Sequence, residues 1–277
     1  MSTNSDNPLD DPAADPFEVA RRAAEDIARL TGVEHHDIAL TLGSGWGKAA
    51  DLIGETVATL PATDVTGFGK PALEGHVGNL RSVRTPRGKH VLVIGARTHY
   101  YEGHGVRRVV HSVRTAAATG AGTMVLTNGA GGIKNTWTPG RPVLISDHIN
   151  LTGDSPLEGA TFIDLTDLYS MRLRDVARLV DPTLDEGVYC QFRGPQYETP
   201  AEVHMAKTIG GHIVGMSTAL EAIAARQAGM EVLGFSLITN MAAGIQTTPL
   251  SHQEVIEAGR AAEPVISSLL AKVIGQL

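Results

Sequence analysis

The sequence predicts an α/β fold, a single domain with a twisted, mostly parallel central sheet surrounded by helices. Three observations carry this. Aliphatic runs at 38–42, 91–94, 124–126, 143–145, 213–214 and 232–238 are too short for helices and too continuous for half-exposed strands, so they suit strands covered on both faces. Helical stretches separate several of them, and strand–helix alternation builds parallel sheets. At 277 residues the chain lies near the upper size for one core.

In chain order, residues 1–16 (MSTNSDNPLDDPAADP) are polar, acidic and rich in Asp and Pro. They lack the basic and apolar blocks of a signal peptide and are expected to form a disordered tail, leaving 17–277 as one domain. The first helix begins at Asp15-Pro16-Phe17-Glu18: a capping aspartate, a proline at the first position and an acid where a capping box needs one. Ala20, Ala24, Ile27 and Leu30 recur at helical spacing, and Gly32 supplies the stop. Further helices are expected over 106–118, 171–180, 201–209, 219–228 and 253–274, with Pro264 kinking or interrupting the last.

Composition removes several classes of function. A net charge of −7 argues against a surface that coats nucleic acid. The single cysteine, Cys190, excludes an intramolecular disulfide framework and fits a reducing compartment. No apolar run approaches the ~20 residues of a membrane span. The expectation is a soluble, cytoplasmic protein.

In parallel sheets ligands bind beyond the carboxyl ends of the strands, and the loops following the aliphatic runs are where chemistry-bearing residues gather. After 38–42 comes GSGWG with Ser44, which serves equally as a tight turn or as an anion site made of amides and a hydroxyl. A dinucleotide fingerprint is disfavoured, because Lys48 stands where Gly or Ala is needed and Asp64 follows the poor strand 60–63. After 91–94 lie Arg97, His99 and Tyr101, which period-two spacing places on one side. Arg97 suits a planar oxyanion with His99 adding a donor, and a metal held by His99, Glu102 and His104 ranks below that. TNGAGG at 127–132 reads as a second glycine-rich turn, where close packing and ligand approach are both open. Tyr197 and Glu198, in a Gly-Pro loop, pair an aromatic face with a carboxylate, which suits a heterocycle; Glu202 has the plainer role of a helix-start acid. Ser217 and Thr218 precede a helix as caps or anion donors, and Asn240 ends a strand.

Taken together, GSGWG at 43–47, RTHYYEGH at 97–104, TNGAGG at 127–132, SDHINL at 146–151, GPQYETPAE at 194–202, VGMSTALE at 214–221, GFSLITN at 234–240 and SHQEV at 251–255 resemble the trimeric, low-molecular-mass family of purine nucleoside phosphorylases. The motifs span about four fifths of the chain in the family's order. The resemblance implies a sheet partly closed like a barrel, a homotrimer, and transfer of a pentosyl group from a purine nucleoside to orthophosphate, with no cofactor and no metal. It implies phosphate binding by Ser44, Arg97, His99, Ser217 and the amide of Gly129, where the family often has alanine, with His76 on a lid over 70–78. It implies a ribose site of Tyr101, Met216 and His252, with Phe162 reaching a neighbouring subunit's sugar. The base falls to Tyr197 (often Phe in the family), Glu198 and Asn240. His99, Glu198 and Asn240 form the catalytic set, and the preference is for 6-oxopurine nucleosides, inosine and guanosine. The alternatives are a methylthioadenosine phosphorylase, for which a carboxylate facing N1 is wrong, and a non-catalytic purine-binding protein.

Overall fold

The computed structural model describes residues 7–70 and 78–277. His76 and most of the expected lid lie outside the described residues. The strands are β1 (Ile38–Thr41), β2 (Glu55–Pro61), β3 (Asn79–Arg84), β4 (His90–Ile94), β5 (Thr123–Gly132), β6 (Pro142–Asn150), β7 (Glu186–Gln191), β8 (Ile213–Gly215) and β9 (Glu231–Met241). The helices are α1 (Pro16–Thr31), α2 (Ala50–Ile53), α3 (Val106–Val109), α4 (His111–Ala118), α5 (Met171–Val180), α6 (Pro200–Thr208), α7 (Ala219–Gln227) and α8 (His252–Ile274).

Among the described residues the strands form one sheet in the order β2-β3-β4-β1-β5-β8-β7-β6-β9, and β9 also pairs with β5. That last pairing closes β5, β8, β7, β6 and β9 into a ring, the barrel-like part of the fold. The β1 pairings with β4 and β5 are parallel, as are β5–β9, β6–β7 and β7–β8; β2–β3, β3–β4, β5–β8 and β6–β9 are antiparallel.

The aliphatic runs are covered on both faces as expected. Ile38 and Leu40 of β1 join one core cluster with Val91, Val93 and the α8 residues Ile266, Leu270 and Val273. Ala39 points the other way, with Leu92, Ile94 and the helical residues Ala23, Ile27 and Val113. Period-two alternation thus feeds two helical layers from one strand.

Helix α1 starts and stops as its sequence dictates: the Asp15 side chain accepts from the Phe17 amide at 2.9 Å, and Gly32 is left-handed with φ 72°. Glu18 pairs with Arg21 and Arg22. The buried stripe runs through Val19, Ala20, Ala23 and Ile27, and leaves Leu30 exposed. Pro264 sits within α8, which continues through it.

Four expectations differ. From Asn7 onward the first sixteen residues are packed: Leu9 is buried, Asp10 forms a two-pronged ion pair with Arg108, and Arg107 donates to the carbonyls of Asp11 and Ala14. Acidic composition suggested a free tail, but the arginines of α3 complement it. The 106–118 stretch is two helices, broken at Val110 (φ −96°, ψ 2°). Leu60 and Pro61 end β2, an edge strand whose mostly exposed side chains left no aliphatic run to read.

The fourth concerns TNGAGG, which continues β5 with ladder partners on β9 through Gly132↔Met241 and on β8. Its glycines answer close packing. A Cβ on Gly131 would lie 3.0 Å from Val214 Cγ2, and one on Gly129 3.1 Å from Thr239 Cγ2. Tighter still is Gly43 after β1, where a Cβ would lie 2.4 Å from the Thr127 carbonyl oxygen and 2.6 Å from the Asn128 Cα. Both neighbours are backbone and cannot rotate away. Gly43→Ala should therefore cost at least the 1–3 kcal/mol typical of overpacking; an unchanged denaturant midpoint would refute the contact.

Candidate active site

Beyond the ends of β1, β4 and β8, and along β5 and β9, lies a cavity of about 310 Å³. Its wall gathers Ser44 from the loop after β1, then Arg97, His99 and Tyr101 after β4, and Gly129 from β5 itself. Tyr197 and Glu198 come from the approach to α6, Met216 and Ser217 from the β8–α7 turn, Asn240 from β9 and His252 from the first position of α8. Phe162 is 92% exposed and outside this wall.

One end of the cavity gathers side chains with the donors to take an anion. Arg97 is buried; its Nε donates to Glu221 Oε1 at 3.1 Å and its Nη1 to the Thr127 carbonyl at 2.7 Å. Its Nη2 is buried without a partner among the described residues. An arginine held by two fixed acceptors with a third nitrogen to spare is preorganised for an oxyanion. The Ser217 amide donates to the Tyr189 hydroxyl at 3.2 Å. Burial pushes Tyr189 up to about 12, which keeps it neutral beside the anion end. The His99 ring stacks on Tyr101 with centroids 4.9 Å apart, and its Nδ1 lies 3.3 Å from Glu102 Oε1. Burial acts to raise the Glu102 carboxyl, but the hydrogen bonds from His99 outweigh it and hold it below the ordinary range. His104 comes no nearer than 3.9 Å to Glu102, and no group of three His, Cys, Asp or Glu among the described residues is placed to hold a metal ion.

The other end is quieter electrostatically. Thr199 caps α6 and shares a capping box with Glu202, so Glu202 has the structural role its position predicts and Glu198 is left out of it. Glu198 is 7% exposed, and Oε1 has no partner among the described residues. Burial raises its carboxyl above the ordinary value, and the nearby Glu202 charge adds to the effect. A buried carboxylate with a free oxygen is costly alone, and that cost is recovered only when a donor arrives. Asn240 is anchored by Nδ2 donating to Thr239 Oγ1 at 3.2 Å, and that hydroxyl donates to the Ala130 carbonyl. Gly194, with φ 70°, packs so closely that a Cβ would lie 2.5 Å from Met216 Sδ and 3.0 Å from Tyr101 Cδ1.

Sequence reasoning missed Asn128, Thr239, Tyr189 and Glu221. Glu221 had a signal: it stands three residues after Thr218, the spacing of a capping box, and its Oε2 accepts from the Thr218 amide at 2.9 Å. Asn128 and Tyr189 had none, since each acts through a residue of the β8–α7 turn that is distant in sequence.

A family model described as the phosphorylase superfamily matches residues 37–275. A purine nucleoside phosphorylase from Cellulomonas sp. is 65% identical over 96% of both chains. One from Mycobacterium tuberculosis is 55% identical over 96% of this chain and 99% of that one. The solved Schistosoma mansoni purine nucleoside phosphorylase in complex with inosine superposes with a TM-score of 0.86 at 32% identity, covering 94% of this chain and 96% of that one. With these similarities spanning nearly the whole chain and the site built as described, the chain belongs to the purine nucleoside phosphorylase family of the phosphorylase superfamily.

Proposed function

We propose that the chain catalyses reversible phosphorolysis of 6-oxopurine ribo- and deoxyribonucleosides, giving the free base and (deoxy)ribose 1-phosphate. The carrying observation is that one cavity brings Arg97 and Ser217 at an anion end together with a buried, donor-seeking carboxylate and an amide at the other. Ser44, Arg97, His99, Ser217 and the Gly129 amide hold phosphate; Tyr101, Met216 and His252 line the sugar; Tyr197, Glu198 and Asn240 take the base. A homotrimer with Phe162 at a neighbouring sugar fits the full exposure of that ring. Among the described residues no helix is long and apolar enough to cross a membrane.

Phosphate arrives as an anion, so no general base is needed. The barrier lies in breaking the C1′–N9 bond, which leaves an oxocarbenium-like sugar and places the bonding electron pair on the purine. Asn240 donates to N7 as that charge grows, an interaction stronger in the transition state than in the ground state. Glu198 accepts from N1–H and, in guanine, from the 2-amino group. A 6-aminopurine has no N1–H and presents a lone pair to the carboxylate.

Incubation with inosine, with and without phosphate, tests the reading. Hypoxanthine release should require phosphate; release without it identifies a hydrolase, and no release a binding protein. A relative of this fold has been crystallised with adenosine, so turnover is the discriminating measurement. The raised Glu198 carboxyl adds a pH signature. As pH falls the carboxylate takes a proton earlier than an ordinary glutamate; it then loses acceptance from N1–H and gains an O–H for the adenine N1. The ratio of adenosine to inosine kcat/KM should rise toward acid, and the titration of phosphate itself cancels in that ratio. A flat ratio from pH 8 to 5 would remove Glu198 as the discriminator.

A further inference from the structure

Thr218 is the only non-glycine residue with positive φ among the described residues, at φ 84° and ψ −49°. The Ala219 amide donates to the Ser217 carbonyl at 3.0 Å, which makes Ser217–Thr218–Ala219 a γ-turn of the rare, strained hand. A β-branched residue held there needs a surrounding structure that over-determines it, and such strain collects at functional sites. The restraint is visible: Glu221, itself buried against Arg97, takes the Thr218 amide.

The turn aims the Thr218 side chain at two partners. Asn128 Nδ2 lies 2.9 Å from Thr218 Oγ1, and Ser217 Oγ lies 3.0 Å from the same oxygen. An amide nitrogen can only donate, so Thr218 accepts from Asn128. Either hydroxyl can donate in the Ser217–Thr218 contact; when Thr218 does, Ser217 has its own proton to give to the cavity. Asn128 and Thr218 are both nearly inaccessible.

We propose that Asn128 and Thr218 are positioning residues of the phosphate site: their hydrogen-bond chain sets the direction of the Ser217 hydroxyl so that it meets the anion as a donor. Without the chain, Ser217 is free to turn its lone pairs toward phosphate, which repels where it should bind. Glu221 links this chain to Arg97, because one carboxylate holds both the guanidinium and the turn. The inference rests on Ser217 belonging to the phosphate end.

Steady-state kinetics of inosine phosphorolysis test it. Thr218→Val removes the hydroxyl at nearly constant shape and should raise KM for phosphate about tenfold or more, the value of a hydrogen bond to a charged group, with KM for inosine within about twofold. Thr218→Ser keeps the hydroxyl and should restore KM for phosphate to within about threefold of the unmodified enzyme. In a Ser217→Ala background, which has no hydroxyl to orient, Thr218→Val should have no further effect on KM for phosphate. Asn128→Ala, reached from a different strand, should repeat the pattern, including its loss in the Ser217→Ala background. The proposal is overturned by multiplicative effects in the double variants, by Thr218→Ser as impaired as Thr218→Val, or by equal rises in both KM values. A wild-type enzyme that releases no hypoxanthine in phosphate would instead overturn the functional reading beneath it.

Discussion

Glu198→Ala should lower kcat/KM for guanosine on the order of 10²–10⁴-fold and for inosine about 10–100-fold, while adenosine changes little. The ordering follows from counting donors. Guanine offers the carboxylate N1–H and the 2-amino group, hypoxanthine offers N1–H alone, and adenine offers neither; each charge-assisted bond contributes about 1.5–3 kcal/mol. Parallel kinetics on the three nucleosides check this, and equal losses on all three would assign Glu198 a structural role.

The same residue yields a second, opposite readout. Glu198 Oε1 has no partner among the described residues and burial raises the carboxyl, so its charge carries a desolvation cost. Glu198→Gln removes that charge and should stabilise the free protein by on the order of 1–3 kcal/mol, a few degrees in melting midpoint, while turnover of inosine falls. The sign with pH follows from linkage. A carboxyl whose folded-state pKa lies above its unfolded one binds its proton more tightly when folded, so stability on its account rises as pH falls through that range. The advantage of Glu198→Gln should be largest at alkaline pH and shrink toward acid. A melting midpoint for Glu198→Gln below that of the unmodified chain at pH 8 would contradict it.

Arg97→Met should be the most destabilising single change at the anion end. It leaves Glu221, 1% exposed, with the Thr218 amide as its remaining partner among the described residues, and stranding one partner of a buried pair costs about 3–5 kcal/mol. That is a large share of the roughly 5–15 kcal/mol by which domains are stable. Adding Glu221→Gln should return most of the loss, because a carbonyl oxygen still accepts the Thr218 amide and no charge is stranded. Activity should not return with it: kcat/KM for phosphate should stay down by on the order of 10²–10³-fold. Denaturant melts of both variants decide the first half. A double variant less stable than the single would show that the stranded carboxylate is not the source of the loss.

Much of this site was legible in the residue order because its members follow aliphatic strands directly, and strands covered on both faces announce themselves. Arg97, Ser217 and Asn240 occupy such exits, and Glu198 was marked instead by its Gly-Pro loop. What stayed hidden was of two kinds. Edge strand β2 and the polar β7 lack a hydrophobic run, so period gave no sign of them. The glycines of TNGAGG looked like a turn, since glycine punctuates loops far more often than it lets strands approach closely. Supporting residues such as Tyr189 and Asn128 matter through side-chain bonds to the β8–α7 turn, which no local sequence window contains. Asn7 to Asp15 was misjudged on composition, because the arginines that neutralise it lie almost a hundred residues away.

The closure of β5 onto β9 has a metrological consequence. Gly129, proposed for the phosphate end, and Asn240, proposed for the base end, stand on adjacent strands whose ladder pairs Gly129 with Leu237 and Gly131 with Asn240. The distance between the two ends is therefore a backbone dimension, graduated in peptide units and stiffened by closure of the ring, and side-chain rotamers have little say in it. The cavity behaves as a fixed gauge: a compound joining a purine to an anion through a linker of the right span fits both ends at once, and one of another length must surrender an end.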